Sequence, residues 1–143
     1  AHGADEGVNY TRDNLRDALK SLGGEHGIDV IFDPVGGPYS EGALRAIAWE
    51  GRHLVVGFAA GEIPKLPLNL MLLKGCSVIG VYFGDWVRLE PDAYQASITE
   101  LTRWAAEGKL SCHIDRVYPL AETPAALKAL TQRKAMGKVI VQP

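Results

Sequence analysis

Two short loops hold the residue types from which chemistry could be built. Asp33-Pro34-Val35-Gly36-Gly37 sets a carboxylate ahead of a proline and paired glycines. Gly57-Phe58-Ala59-Ala60-Gly61 is a run of small residues around one aromatic. Glycine and alanine leave the backbone open to close approach, as a bound cofactor requires. Asp33 invites a catalytic role, but a carboxylate leading into such a loop also accepts hydrogen bonds from the loop's own amides. That capping role is the expected one. Metal chemistry finds no support. His2, His26, His53 and His113 are scattered, Cys112-His113 is merely adjacent, and neither a Cys-x-x-Cys nor an i,i+4 histidine pair occurs. A zinc site is therefore not expected. No Ser/His/Asp arrangement can be argued, and no catalytic residue is assigned.

The elements around these loops decide whether they meet. Ile28–Phe32 is a branched apolar run, too short for a helix and bounded by Gly27 and Pro34. It reads as a strand buried on both faces, the kind found in parallel sheets. Tyr39–Trp49 places Ala43, Leu44, Ile47 and Ala48 at helical spacing, with Gly51 as its C-cap. His53–Val56 is a second apolar strand, so the stretch forms a βαβ unit. Ligands of open parallel sheets bind outside the carboxyl ends of the strands, which puts both loops on the functional rim.

The flanking segments continue an α/β pattern. Gly3 is a candidate helix C-cap, Gly7–Tyr10 a short strand, and Thr11–Leu22 an amphipathic helix carrying Leu15, Ala18, Leu19 and Leu22. Two prolines keep Ile63–Pro67 extended. Leu68–Leu73 is expected as a short buried helix that Asn69 helps to start, and Ser77–Phe83 as the outermost strand. A long helix over 92–107 turns Tyr94, Ile98, Leu101, Trp104 and Ala105 inward. Ile114–Tyr118 is a strand, Thr123-Pro124 an N-cap with a first-turn proline, and Gly137–Val141 a last strand. The pattern changes near residue 85, which divides the chain into 1–85 and 86–143.

Composition sets the outer bounds. The chain has 143 residues, 47% hydrophobic and 22% charged, the values of an ordinary globular protein. A net charge of −2 leaves no basic stripe for nucleic acid. No apolar run reaches membrane-spanning length, and the two cysteines suggest no disulfide framework, which fits a reducing cytoplasm. The opening Ala-His-Gly-Ala-Asp lacks an initiator Met and reads like a piece cut from a longer polypeptide.

Six motifs, each weak alone, occur in a telling order. They are Gly3-Ala4-Asp5 with Asn9-Tyr10, Asp29–Gly37, Gly51–Gly57, Leu66–Asn69, Leu72–Gly75 with Gly80-Val81, and Arg133–Val139. Together they resemble the zinc-independent quinone oxidoreductases of the medium-chain dehydrogenase/reductase superfamily, across nearly the whole chain. The resemblance implies a partial Rossmann-type doubly wound parallel sheet, the distal half of a cofactor domain, plus a C-terminal helix/strand return segment. It implies NADPH as cofactor and quinones or similar activated carbonyls and alkenes as substrates. An enoyl or acyl reductase on the same scaffold, or a stand-alone dimerisation module, are the alternatives.

By the same resemblance Pro34, Val35 and Gly36 lie against the ribose and nicotinamide side, with Gly57, Phe58 and Ala59 beside them. The backbone of Phe83 and Gly84 faces the nicotinamide amide. Tyr10 borders the adenosine 2′-phosphate, and Arg133 or Lys134 supplies a cation there. Strand 77–83 is expected to pair with its copy in a homodimer, covering an apolar edge. The Gly-x-Gly-x-x-Gly turn that seats a pyrophosphate does not occur, so this chain alone is expected to be inactive.

Overall fold

The computed structural model describes residues 3–143. The chain divides into two compact units, one running to Asp85 and the other Trp86–Pro143. His2 and any helix that Gly3 might close lie outside the described residues.

The first unit holds α1 (Leu15–Gly23), β1 (Ile28–Asp33), α2 (Tyr39–Arg45), β2 (Ile47–Val55), α3 (Asn69–Lys74) and β3 (Ser77–Gly80). Its three strands form one sheet in the order β1-β2-β3, every pairing parallel. Asp33 is level with Val55, and Val55 with Gly80. The carboxyl ends of the strands therefore share one rim, as a βαβ arrangement requires. Leu44, Ile47 and Leu70 form the buried core, with Ile31, Leu66, Met71 and Cys76 packed against it. Each such side chain stabilises the fold by roughly 1.5–3 kcal/mol on burial.

Several boundaries differ from the expected ones. The helix from Tyr39 stops at Arg45, and Ile47 to Trp49 belong to β2. Ala46, Ile47 and Ala48 are a continuous buried run, which periodicity alone cannot assign to helix or strand. Gly51 is thus no C-cap but the tight point of a bulge. Here β2 advances from Ile47 to Arg52 while β1 advances only from Ile28 to Val30. A Cβ on Gly51 would stand 2.6 Å from Ile47 Cγ1 and 3.0 Å from the Ala48 carbonyl. Glu50 takes a positive φ of 59° in the same bulge, its N–H bonded to the Gly75 carbonyl.

Strand β1 is not buried on both faces: Val30 and Phe32, two residues apart and so on one face, are 43% and 65% exposed. Helix α3 buries only Leu70, and Leu72 is 81% exposed. Gly7–Tyr10 is not a strand: residues 7–9 have no regular structure and a turn begins at Tyr10. The Asn9 side chain accepts from the Thr11 N–H (3.1 Å) and hydroxyl (2.6 Å), a local bonding that competes with a ladder. Helix α1 accordingly starts at Leu15, capped by Asn14, whose Oδ1 accepts from the Asp17 N–H. The third strand ends at Gly80. The Val81 N–H still reaches the Val55 carbonyl (2.9 Å), but Phe83 opens α4 (Phe83–Leu89) instead of ending a strand.

The second unit contains α5 (Pro91–Ala106), β4 (Ile114–Pro119), α6 (Thr123–Thr131) and β5 (Lys138–Gln142). Pro91 starts α5 in the first-turn position. β4 and β5 pair in parallel, with Tyr118 level with Val141. Tyr118 and Ala126 are buried, and the Arg116 guanidinium lies 5.7 Å from the Tyr118 ring centroid. Ile98, Leu101 and Trp104, expected to face inward, are exposed. Thr123 is the first helical residue, not the cap: its hydroxyl donates back to the Leu120 carbonyl.

Candidate functional site

The two chemistry-bearing loops are bonded into one shelf. The Gly57 and Val56 N–H groups both donate to the Asp33 carbonyl, Ala59 N–H to Pro34, Ala60 N–H to Val35, and Gly37 N–H to Glu62. A Cβ on Gly36 would stand 2.7 Å from the Phe58 ring, and one on Gly57 3.3 Å from the Pro34 carbonyl. Gly36 also has a φ of 69°, a conformation that glycine adopts without strain. The shelf therefore depends on small residues in both loops. Pro34, Val35, Gly36, Gly57, Phe58 and Ala59 are all brought together here.

Asp33 anchors the shelf from beneath. Its Oδ1 accepts from the N–H groups of Val35 (3.0 Å) and Gly36 (2.8 Å), and its Oδ2 from the Ser40 hydroxyl (2.5 Å). His53 Nε2 lies 3.2 Å from the same Oδ2. Burial pushes the Asp33 carboxyl up, but hydrogen bonds from Gly36, Ser40, Val35 and His53 outweigh it and hold the group below its ordinary value. The capping role expected of Asp33 is its observed geometry.

Sequence reasoning missed His53 and Ser40. His53 is 0% exposed and aligned with Ile31 on the neighbouring strand, so its side chain meets Asp33 twenty positions away. The signal was a histidine inside an apolar strand, which demands a buried partner. Ser, Asp and His do gather here, but with the carboxylate in the middle. The serine hydroxyl bonds the carboxylate rather than the histidine, so the cluster is not a nucleophilic triad.

Beside the shelf, Tyr10 and Tyr39 stack tilted, with ring centroids 5.0 Å apart. They line an apolar pocket of about 180 Å³ with Leu15, Phe32, Pro34 and Val35. That is below the roughly 300–1,000 Å³ of whole-ligand pockets. Phe83 and Gly84 follow β3 at the same rim, as the first residues of α4. Arg133 and Lys134 belong to the second unit. Arg133 closes α6 with a φ of 53°, its N–H bonded to the Leu130 carbonyl. Asn69 begins α3, as expected.

The family described as zinc-binding dehydrogenase matches residues 2–141. Quinone oxidoreductase-like protein 2 of Bos taurus is 40% identical over 139 residues, covering 97% of this chain and 40% of the relative. Prostaglandin reductase 1 of Mus musculus is 28% identical over 147 residues, covering 98% of this chain and 44% of the relative. A mycobacterial protein solved in complex with NADPH superposes with a TM-score of 0.84 at 23% identity, over 99% of this chain and 43% of that one. This last likeness is one of fold. The chain spans well under half the length of these curated relatives.

Proposed function

This chain belongs to the zinc-binding dehydrogenase family, within the medium-chain dehydrogenase/reductase superfamily, and on that basis we propose that it is part of an NADPH-dependent oxidoreductase. The enzyme reduces quinones or similar activated carbonyls and alkenes. The name of the bovine relative, a quinone oxidoreductase-like protein, supports the quinone class, and that of the murine relative, a prostaglandin reductase, supports reduction. The observation that carries the reading is the fused shelf, two glycine-bearing loops at the carboxyl ends of adjacent parallel strands.

The residues present fit one part of such a cofactor. A shelf whose amides are mostly taken by its own carbonyls and by Asp33 suits a flat, uncharged ring; a pyrophosphate needs free amides at a helix start. The bound cofactor would supply the hydride. The chain's share is to present Val35, Gly36, Gly57, Phe58 and Ala59 to its nicotinamide side. Phe83 and Gly84 adjoin them, and Tyr10 serves its phosphate end. Residues 1–85 are the distal part of the cofactor domain, and 86–143 its end and the return segment. Among the described residues no group of three or more His, Cys, Asp or Glu side chains is placed to hold a metal ion. The free thiols Cys76 and Cys112 suit a reducing cytoplasm. Among the described residues no helix is long and apolar enough to cross a membrane.

Titrating the chain with NADPH, then adding a benzoquinone, tests the proposal. Weak binding without quinone-dependent NADPH oxidation is expected. Micromolar binding with turnover would overturn the view that the chain holds only part of the site.

A further inference from the structure

Among the described backbone N–H groups of residues 35–37 and 56–61, all but one donate within the shelf. Val35 and Gly36 give theirs to Asp33 Oδ1, and Gly37, Val56, Gly57, Ala59, Ala60 and Gly61 give theirs to carbonyls. The exception is Phe58. Two of these bonds are unlike the others, because they turn consecutive amides down onto a charged side chain rather than across to the neighbouring loop.

We propose that Asp33 is a positioning residue whose grip, set by Ser40 and His53, keeps the Val35 and Gly36 amides out of the crevice and leaves the Phe58 N–H as the shelf's single donor. The shelf then accepts an uncharged acceptor such as a carboxamide or carbonyl oxygen and gives no cradle for phosphate. This rests on the cofactor reading for the ligand, but its structural half stands apart from it.

The hydrogen bookkeeping supports the assignment. The Asp33 carboxylate is acceptor-only, so Ser40 must donate its hydroxyl hydrogen and His53 must carry its hydrogen on Nε2 to bond the same oxygen. In the neutral ring, Nδ1 of His53 is then the lone-pair nitrogen. It is buried and has no hydrogen-bond partner, so it exerts no competing pull on the ring.

The test uses the whole chain and needs no ligand. Nitrogen-15 spectra are expected to show His53 as the Nε2–H tautomer. Asp33→Asn offers an amide donor toward His53 and should switch the ring to Nδ1–H. His53→Ala should speed hydrogen exchange at the Val35 and Gly36 amides by about tenfold or more, the scale of a bond to a charged group, with Leu44 in α2 unchanged as control. If His53→Ala does not fold, Ser40→Ala carries the same expectation. An Nδ1–H tautomer in the unmodified chain, or unchanged exchange at both amides, would overturn the proposal. For the ligand half, reduced nicotinamide mononucleotide should shift the Phe58 amide, and inorganic pyrophosphate should leave the shelf unmoved. Shelf shifts from pyrophosphate would refute that half. If neither probe binds, the cofactor reading falls and the exchange result still decides the role of Asp33.

Discussion

Asp33 is a charged group kept charged by its neighbours, and this fixes how stability depends on pH. Its carboxyl lies below the ordinary value in the folded state. The stabilisation is thus fully present above the ordinary aspartate range and is lost as pH falls through the lowered folded value. Urea unfolding across that acid range should show the loss in the unmodified chain and a flatter profile in Asp33→Asn. Equal acid profiles would contradict the linkage. Glycines give a sharper contrast. Gly27 has a φ of 92°, and a Cβ there would stand 2.9 Å from the Ala48 backbone, whereas Gly61 has a φ of 87° with open space around it. Gly27→Ala should cost more than Gly61→Ala, which should lose only about 1–2 kcal/mol from backbone strain. Similar losses at both sites would show that the bulge yields.

At the scale of elements, the core joins α2, β2 and α3 through Leu44, Ile47 and Leu70. Leu44→Ala should lower unfolding free energy by about 2–5 kcal/mol, as fully buried leucines do. A loss under about 1 kcal/mol would mean that the site collapses around the gap. The parallel strands and the two loops were legible because short branched runs bounded by glycine and proline leave few alternatives. The α2–β2 boundary was not, because Ala46-Ile47-Ala48 satisfies both periods and sheet pairing settles the choice. The turn at Asn9 was hidden for a different reason: a side chain-to-backbone bond has no periodicity. Val30 and Phe32 misled because both are apolar yet stand on an exposed face of β1. The Asp33–His53 pair was invisible because register between strands decides it, and register is not written in either strand alone.

For the whole molecule, β3 is an edge of the β1-β2-β3 sheet; Val78 and Ile79 are exposed on it, and Val81 is exposed just past its end, still bonded to Val55. We propose that this edge pairs with its copy across a two-fold axis, over a segment shorter than residues 77–83 because the strand ends at Gly80. Sedimentation should give a dimer for the unmodified chain and a monomer for Val81→Lys. A dimer that survives the lysine, or a chain that is monomeric throughout, would refute the pairing. The central claim concerns the opposite property, what the rim is for. The most direct measurement is an amide-resolved NMR titration of the chain with NADPH. The account predicts weak binding with shifts gathered at Val35, Gly36, Gly57, Phe58 and Ala59. A rim that stays silent under excess cofactor, whether or not other residues move, would contradict it.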